Sequence, residues 1–130
     1  MVEVKISKKV PKYYDKKNEL EIIKKYQDLI MYAYVILKKY PENEVINLAS
    51  NTKRILFEGL EYLVLAKHAK SKSNKLTYLC KLESRLNILN ILIRVAKKNK
   101  YITSKNYKVW SFKIFDIFEM TEKWMIYCQS

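Results

Sequence analysis

Leu79, Leu82, Leu86, Leu89, Ile93 and Ala96 recur at alternating steps of three and four residues. That spacing is one face of an α-helix in heptad register, whereas a strand would bury every second residue. Little elsewhere interrupts helices: the 130 residues hold one glycine, Gly59, and two prolines, Pro11 and Pro41. A chain of short strands needs many more turn residues than that. The expected fold is all-α, and hydrophobic residues at 49% of the chain are enough for one continuous core,.

The same periodicity divides the chain into four segments. A first helix is expected over residues 17–40, with Ile23, Tyr26, Ile30, Ala33, Leu37 and Tyr40 as its seam and Leu29, Tyr32, Val35 and Ile36 as a second strip,. Pro41 stops it, followed by the polar turn Glu42-Asn43-Glu44,. The second helix is expected over residues 44–70, along Leu48, Thr52, Ile55, Gly59, Tyr62, Ala66 and Ala69, with Leu56, Leu60 and Leu63 beside them. A mid-helix glycine costs about 1 kcal/mol relative to alanine, so Gly59 marks close approach by a neighbour,. Ser71 to Asn74 reads as a turn, and the third helix as residues 75–98. Thr103 is the expected N-cap of the fourth, whose seam is Tyr107, Trp110, Ile114, Ile117, Thr121, Trp124 and Cys128,.

Helices of about 24 residues, roughly 36 Å long and joined by short turns, make an up-down-up-down four-helix bundle. One domain, residues 17–130, is expected behind a basic arm over residues 1–16 that carries Lys5, Lys8, Lys9, Lys12 and Lys16,. Phe112, Phe115, Phe118, Met120 and Met125 cannot all face one core, and surplus apolar surface predicts a homo-oligomer,. Cys80 and Cys128 fit no metal spacing and are expected as small buried hydrophobes,. No apolar run reaches membrane-spanning length, and a cytoplasmic protein without membrane contact is expected,.

Charge is the functional signal. Twenty-six basic residues stand against 13 acidic, a net +13 with a pI near 9.6. Between Tyr62 and Phe115 there are thirteen Lys or Arg and one acid, Glu83. Such a chain repels itself, and the usual compensating partner is a polyanion, here RNA, DNA or an RNA/DNA hybrid. Bundle topology gathers Lys67, Lys70, Lys72 and Lys75 at one end, near Lys12, Lys16 and Lys17. Arg94, Lys97, Lys98, Lys100, Lys105 and Lys108 fall at the other with Lys38 and Lys39, and Arg85 links the two groups along the third helix. These are the candidate phosphate contacts, although lysines decorate the surface of many soluble helices. Tyr13, Tyr14, Tyr78 and Tyr101 are the tyrosines placed to stack on unpaired bases,.

Catalysis finds no foothold. His68 is the one histidine and has no sequence partner for acid–base work,. Glu58 with Glu61 and Glu119 with Glu122 have helical spacing, but a di-metal bundle needs Glu-x-x-His and none occurs,. No enzyme activity, cofactor or metal is expected. A helical adaptor binding protein through its apolar faces is the alternative to nucleic-acid binding.

Residues 85–124 also resemble a known family. Leu86, Leu89 and Arg94, then Tyr101-Ile102-Thr103-Ser104-Lys105-Asn106-Tyr107, then Asp116-Ile117 and Trp124, are similar to the accessory variability determinant (Avd) proteins of diversity-generating retroelements. Asp28-Leu29, Pro41 and Leu48 extend the resemblance upstream, so that it covers residues 26–125. Ala49 and Asn51 stand where that family often has a glycine and an arginine, and Phe118, Glu122 and Lys123 where it often has glycines. A related four-helix group, encoded in ribosomal-RNA intervening sequences, carries an Asn-Ile-Ala-Glu-Gly-like signature. Glu58-Gly59-Leu60-Glu61 does not reproduce it. The resemblance implies a homopentameric basic barrel that binds a reverse transcriptase and its template RNA, supporting mutagenic cDNA synthesis without catalysing it.

Overall fold

Ser71 and Thr103 decide where the two longest helices begin. In the computed structural model, which describes residues 16–130, each hydroxyl oxygen accepts from the amide three residues on, at 3.1 Å from Asn74 and 3.0 Å from Asn106. The four α-helices among the described residues are α1 (Lys16–Leu37), α2 (Ser50–His68), α3 (Lys72–Lys98) and α4 (Ser104–Gln129). No strand occurs among these residues, as expected of an all-α four-helix bundle. The expected arm lies outside the described residues except for Lys16, which opens α1. The Ser71 cap starts α3 three residues before the expected Lys75, so the turn between α2 and α3 shrinks to residues 69–71.

Around the bundle, α2 packs on α3, α3 on α4 and α4 on α1, while α1 meets α2 more lightly. The core is a single cluster centred on Trp110, Trp124, Tyr26 and the fully buried α3 seam from Leu79 to Ala96. Two ion pairs staple α1 to α4, Lys25–Asp116 at 2.7 Å and Lys113–Asp28 at 2.6 Å. Thr52 and Thr121 are buried but satisfied, each donating to the carbonyl one turn back,.

The first helix departs from expectation in register and length. Ile22, Leu29 and Ile36 join Tyr26 and Ala33 at its buried centre, whereas Ile23 and Ile30 are only half-buried and Val35 is exposed. The buried seam, Ile22, Tyr26, Leu29, Ala33, Ile36 and Tyr40, keeps the alternation of four and three, but alternate members sit one position earlier than expected because the adjoining apolar strip is the one that faces the core,. The helix also ends at Leu37, not Tyr40. A residue before proline avoids the helical region, and residues 38–40 tighten into turn bonds from Lys39 to Ile36 and from Tyr40 to Leu37,. That bend buries Tyr40, whose ring packs 5.7 Å from Tyr101. The expected turn at Glu42-Asn43-Glu44 is a 3₁₀ turn, and the expected second helix opens with a π turn (Val45–Ala49) before α2 proper.

Cys128 is buried as expected, but Cys80 is exposed on α3, one residue past the buried Leu79 on a face that turns to solvent. Phe118, Met120 and Met125 pack against the core, leaving Phe112 and Phe115 as the exposed remainder of the expected surplus face.

Candidate nucleic-acid interface

The four helices alternate in direction, so the first and third turns share one end of the bundle and the second turn lies at the other. Contacts at the first-turn end come from one short segment. Tyr101 donates to Glu44 at 3.2 Å, joining the third turn to the first, while Glu44 also accepts from the Leu48 amide. Ile102 is buried, Thr103 caps α4, and Asn106 accepts from Tyr32 and from Lys39 of the first helix and its turn. Tyr107 faces α3: Ser111 and then Arg94, beside its phenol, hold it below the usual tyrosine range, and Lys97 sits 4.9 Å over its ring. A fixed frame therefore carries Arg94 and Lys97, and the cations around it are not tied down by carboxylates.

Eight cations occupy this end: Lys38, Lys39, Arg94, Lys97, Lys98, Lys100, Lys105 and Lys108, all exposed. Against them stand Glu42 and Glu44, and the second already takes two hydrogen bonds. Two of the eight hold positions that local stability disfavours. Lys100 has φ 62°, the left-handed conformation that ends a helix and usually belongs to glycine,. The cap is closed by Tyr101 N–H to Ala96 O at 2.9 Å and Lys100 N–H to Lys97 O at 2.9 Å. Lys105 lies in the first turn of α4, where the helix dipole opposes a cation, and no acid offsets it there,. Replacing Lys100 by glycine is expected to relieve about 1 kcal/mol of backbone cost and raise the melting temperature by about 3 °C. A thermal melt checks this, and an unchanged or lower midpoint would show that the lysine is not strained.

The other sequence candidates are placed differently. Lys75 spends its ammonium on the last carbonyls of α2, Ala66 at 3.0 Å and Lys67 at 3.2 Å, and lies 5.8 Å over Trp124. Lys72 sits 4.4 Å over Tyr127, Lys67 is half-buried, and Lys70 is exposed. Arg85 is not a free link between the ends: it pairs with Glu58 at 2.8 Å and lies over Tyr62, beside Lys81. The Arg85 guanidinium, with Arg54 next, holds the Glu58 carboxyl below its ordinary range. Asp28, Glu58 and Asp116 thus neutralise the waist of the bundle and leave uncompensated charge at the ends.

Glu83, the one acid of the basic stretch, faces Glu122 across the α3–α4 contact. Partial burial, then a hydrogen bond and repulsion from Glu122, raise its carboxyl above the ordinary range,. A pKa raised by folding stabilises below the unfolded value, and that contribution is lost as pH climbs through the folded value. Glu83→Gln is therefore expected to stabilise the protein by roughly 0.5 kcal/mol at pH 7, comparable to relief of a like-charge helix pair, and by nothing below the ordinary carboxylate range. Urea titrations at pH 7 and pH 4 check the sign, and an equal effect at both would remove the shared proton from the account.

The fold and its charge together define a small basic all-α bundle with exposed cations gathered at one end. The chain matches the bAvd-like family over residues 20–128, most of its length, and belongs to that family. It is an Avd-family protein, of a kind that accompanies diversity-generating retroelements. No curated protein and no solved structure matches it. Among the described residues no group of side chains could hold a metal ion, and no helix is long and apolar enough to cross a membrane.

Proposed function

We propose that this chain is the nucleic-acid-binding accessory subunit of a diversity-generating retroelement, engaging template RNA phosphates with Arg94, Lys97, Lys98, Lys100, Lys105 and Lys108. One observation carries the reading: exposed cations crowd the first-turn end, and two of them stay there at a cost to stability. Unrewarded, a glycine at 100 and an acid at 105 would be the better residues. Reverse transcriptase as the protein partner, and support of mutagenic cDNA synthesis, rest on family membership.

Oligomerisation is supported by where the unpartnered apolar surface falls. Leu20, Met31 and Val35 are exposed on α1, and Ile91 and Val95 on α3. These two helices stand at diagonal corners of the bundle, and further exposed apolar residues lie on α2, at Phe57, Val64 and Leu65, and on α4, at Phe112 and Phe115. Different patches meeting head to tail form a ring where the rotation between copies closes, which is the arrangement of the pentamer that the resemblance implies. A second reading, a helical adaptor, draws on the Tyr34–Phe57 pair exposed at the α1–α2 seam.

The test is fluorescence anisotropy of a labelled structured RNA at 50, 100 and 200 mM salt, on a fraction of known mass. Six phosphate contacts weaken binding by about 10³ over that range. Saturable, steeply salt-dependent binding is the expected result, and flat or absent binding at the lowest salt leaves the adaptor.

A further inference from the structure

Lys105, Lys108, Phe112 and Phe115 follow one another at steps of three, four and three on α4, and all four are exposed. That spacing draws one stripe along the helix, two cations leading into two phenyl rings. At 69% and 54%, these rings are the most exposed aromatic side chains among the described residues. Other aromatics are already engaged. Tyr101 is spent on Glu44 and Tyr40, Tyr107 on Arg94 and Lys97, Tyr62 lies under Arg85, and Tyr34 packs on Phe57. Tyr78, another tyrosine that the sequence suggested for stacking, is half-buried against the core.

We infer that Phe112 and Phe115 form a stacking platform for unpaired bases of single-stranded RNA, whose backbone is held by Lys105 and Lys108. This rests on reading the first-turn end as an RNA interface and specifies which form of RNA it takes. Charge along the stripe favours that occupant: the cations lie on the side of the basic end, and Glu119, one turn beyond Phe115, repels a backbone that continues further,. From Lys105 to Phe115 is about 15 Å at 1.5 Å per residue, room for two stacked bases and their phosphates. A duplex offers no such fit. Its bases are stacked on each other, and the deep, narrow major groove of A-form RNA excludes side chains. Phosphate contact alone would serve duplex and single strand alike; the bare rings distinguish them.

The experiment uses the full chain with a labelled twelve-residue oligoadenylate and a twelve-pair RNA duplex, titrated at 100 mM salt. Phe112→Ala and Phe115→Ala are each expected to weaken oligoadenylate binding about tenfold, with duplex binding within twofold and the salt slope unchanged. Phe112→Trp is expected to retain affinity, since a larger π-face stacks as well. Phe112→Leu keeps apolar area without a ring and is expected to bind like the alanine variant, at unchanged mass by light scattering. Leucine restoring affinity, or alanine lowering the oligomeric mass with leucine restoring it, would overturn the proposal in favour of apolar packing against a second copy. Variants that bind both RNAs like the parent would overturn stacking alone, whereas a parent that binds neither RNA would overturn the RNA interface with it.

Discussion

Replacing Arg94, Lys97 and Lys98 together by glutamate is expected to weaken RNA binding by about a thousandfold at 100 mM salt while leaving the bundle folded. All three side chains are exposed, and none is paired with a carboxylate among the described residues. What they lose inside the protein is modest: the favourable interaction of Arg94 with the Tyr107 phenol and the Lys97 contact with the same ring. A cation over an exposed ring contributes about 0.5–1 kcal/mol, a small share of the stability of a domain this size. Each phosphate contact removed lowers the salt slope by about 0.9 on duplex and 0.7 on single strands, so the slope should fall by between two and three. Reversal adds repulsion to that loss. Circular dichroism and light scattering must match the parent for the result to speak to binding. The control is the same reversal at Lys70, Lys72 and Lys75, where two of the ammonium groups serve their own bundle. That variant is expected to lose stability and keep most of its RNA affinity. Equal losses of affinity at both ends would mean that RNA tracks the whole length of the bundle.

The contrast between the two ends marks the limit of what sequence alone conveys. Periodicity located every helix, and in α3 it located every buried seam residue, because a run with a full apolar stripe and no breaker leaves packing one choice. In α1 two apolar strips compete, Ile23 and Ile30 beside Ile22 and Leu29. Only the position of the neighbouring helix decides which strip is buried, and that is a tertiary fact,. Capping was legible at Thr103, where threonine precedes a periodic run. It was missed at Ser71, where three polar residues after the serine disguised the first turn of α3. Charge was legible as a total and as a grouping by ends. The commitments of Arg85 to Glu58 and Lys75 to the α2 carbonyls were not, since both partners are distant enough in sequence to need the fold. Lys100 shows the converse. Its identity reads as one more lysine, and its conformation turns it into a signal,.

Gly59→Ala should produce the largest loss of stability among single methyl additions to this core, about 2–3 kcal/mol, despite the better helix propensity of alanine. The sequence marked this glycine as a place of close approach, and the structure supplies the neighbour. The Tyr26 hydroxyl reaches from α1 across the core and donates to the Leu56 carbonyl of α2 at 2.5 Å. It occupies the space a β-carbon would need at position 59, with the tyrosine ring carbon 3.2 Å away and Leu82 at 3.5 Å. Tyr26 is fully buried, so its hydroxyl has no water to retreat to, and burial raises its phenol well above the ordinary range. Adding the methyl group forces the tyrosine out of its bond, leaving a buried donor unsatisfied at a cost of about 1–3 kcal/mol. Overpacking adds about 1–3 kcal/mol, and the alanine preference returns about 1. The two positions must then be coupled. Tyr26→Phe alone should cost about 1 kcal/mol, because Leu56 keeps its place in the helix ladder. In the double variant the hydroxyl is gone and the methyl group has most of the room it needs. A denaturant-based double-mutant cycle is expected to show a coupling of at least about 1 kcal/mol, with the double variant more stable than Gly59→Ala alone. Additive losses, or a neutral Gly59→Ala, would mean that the glycine is not held open by the tyrosine.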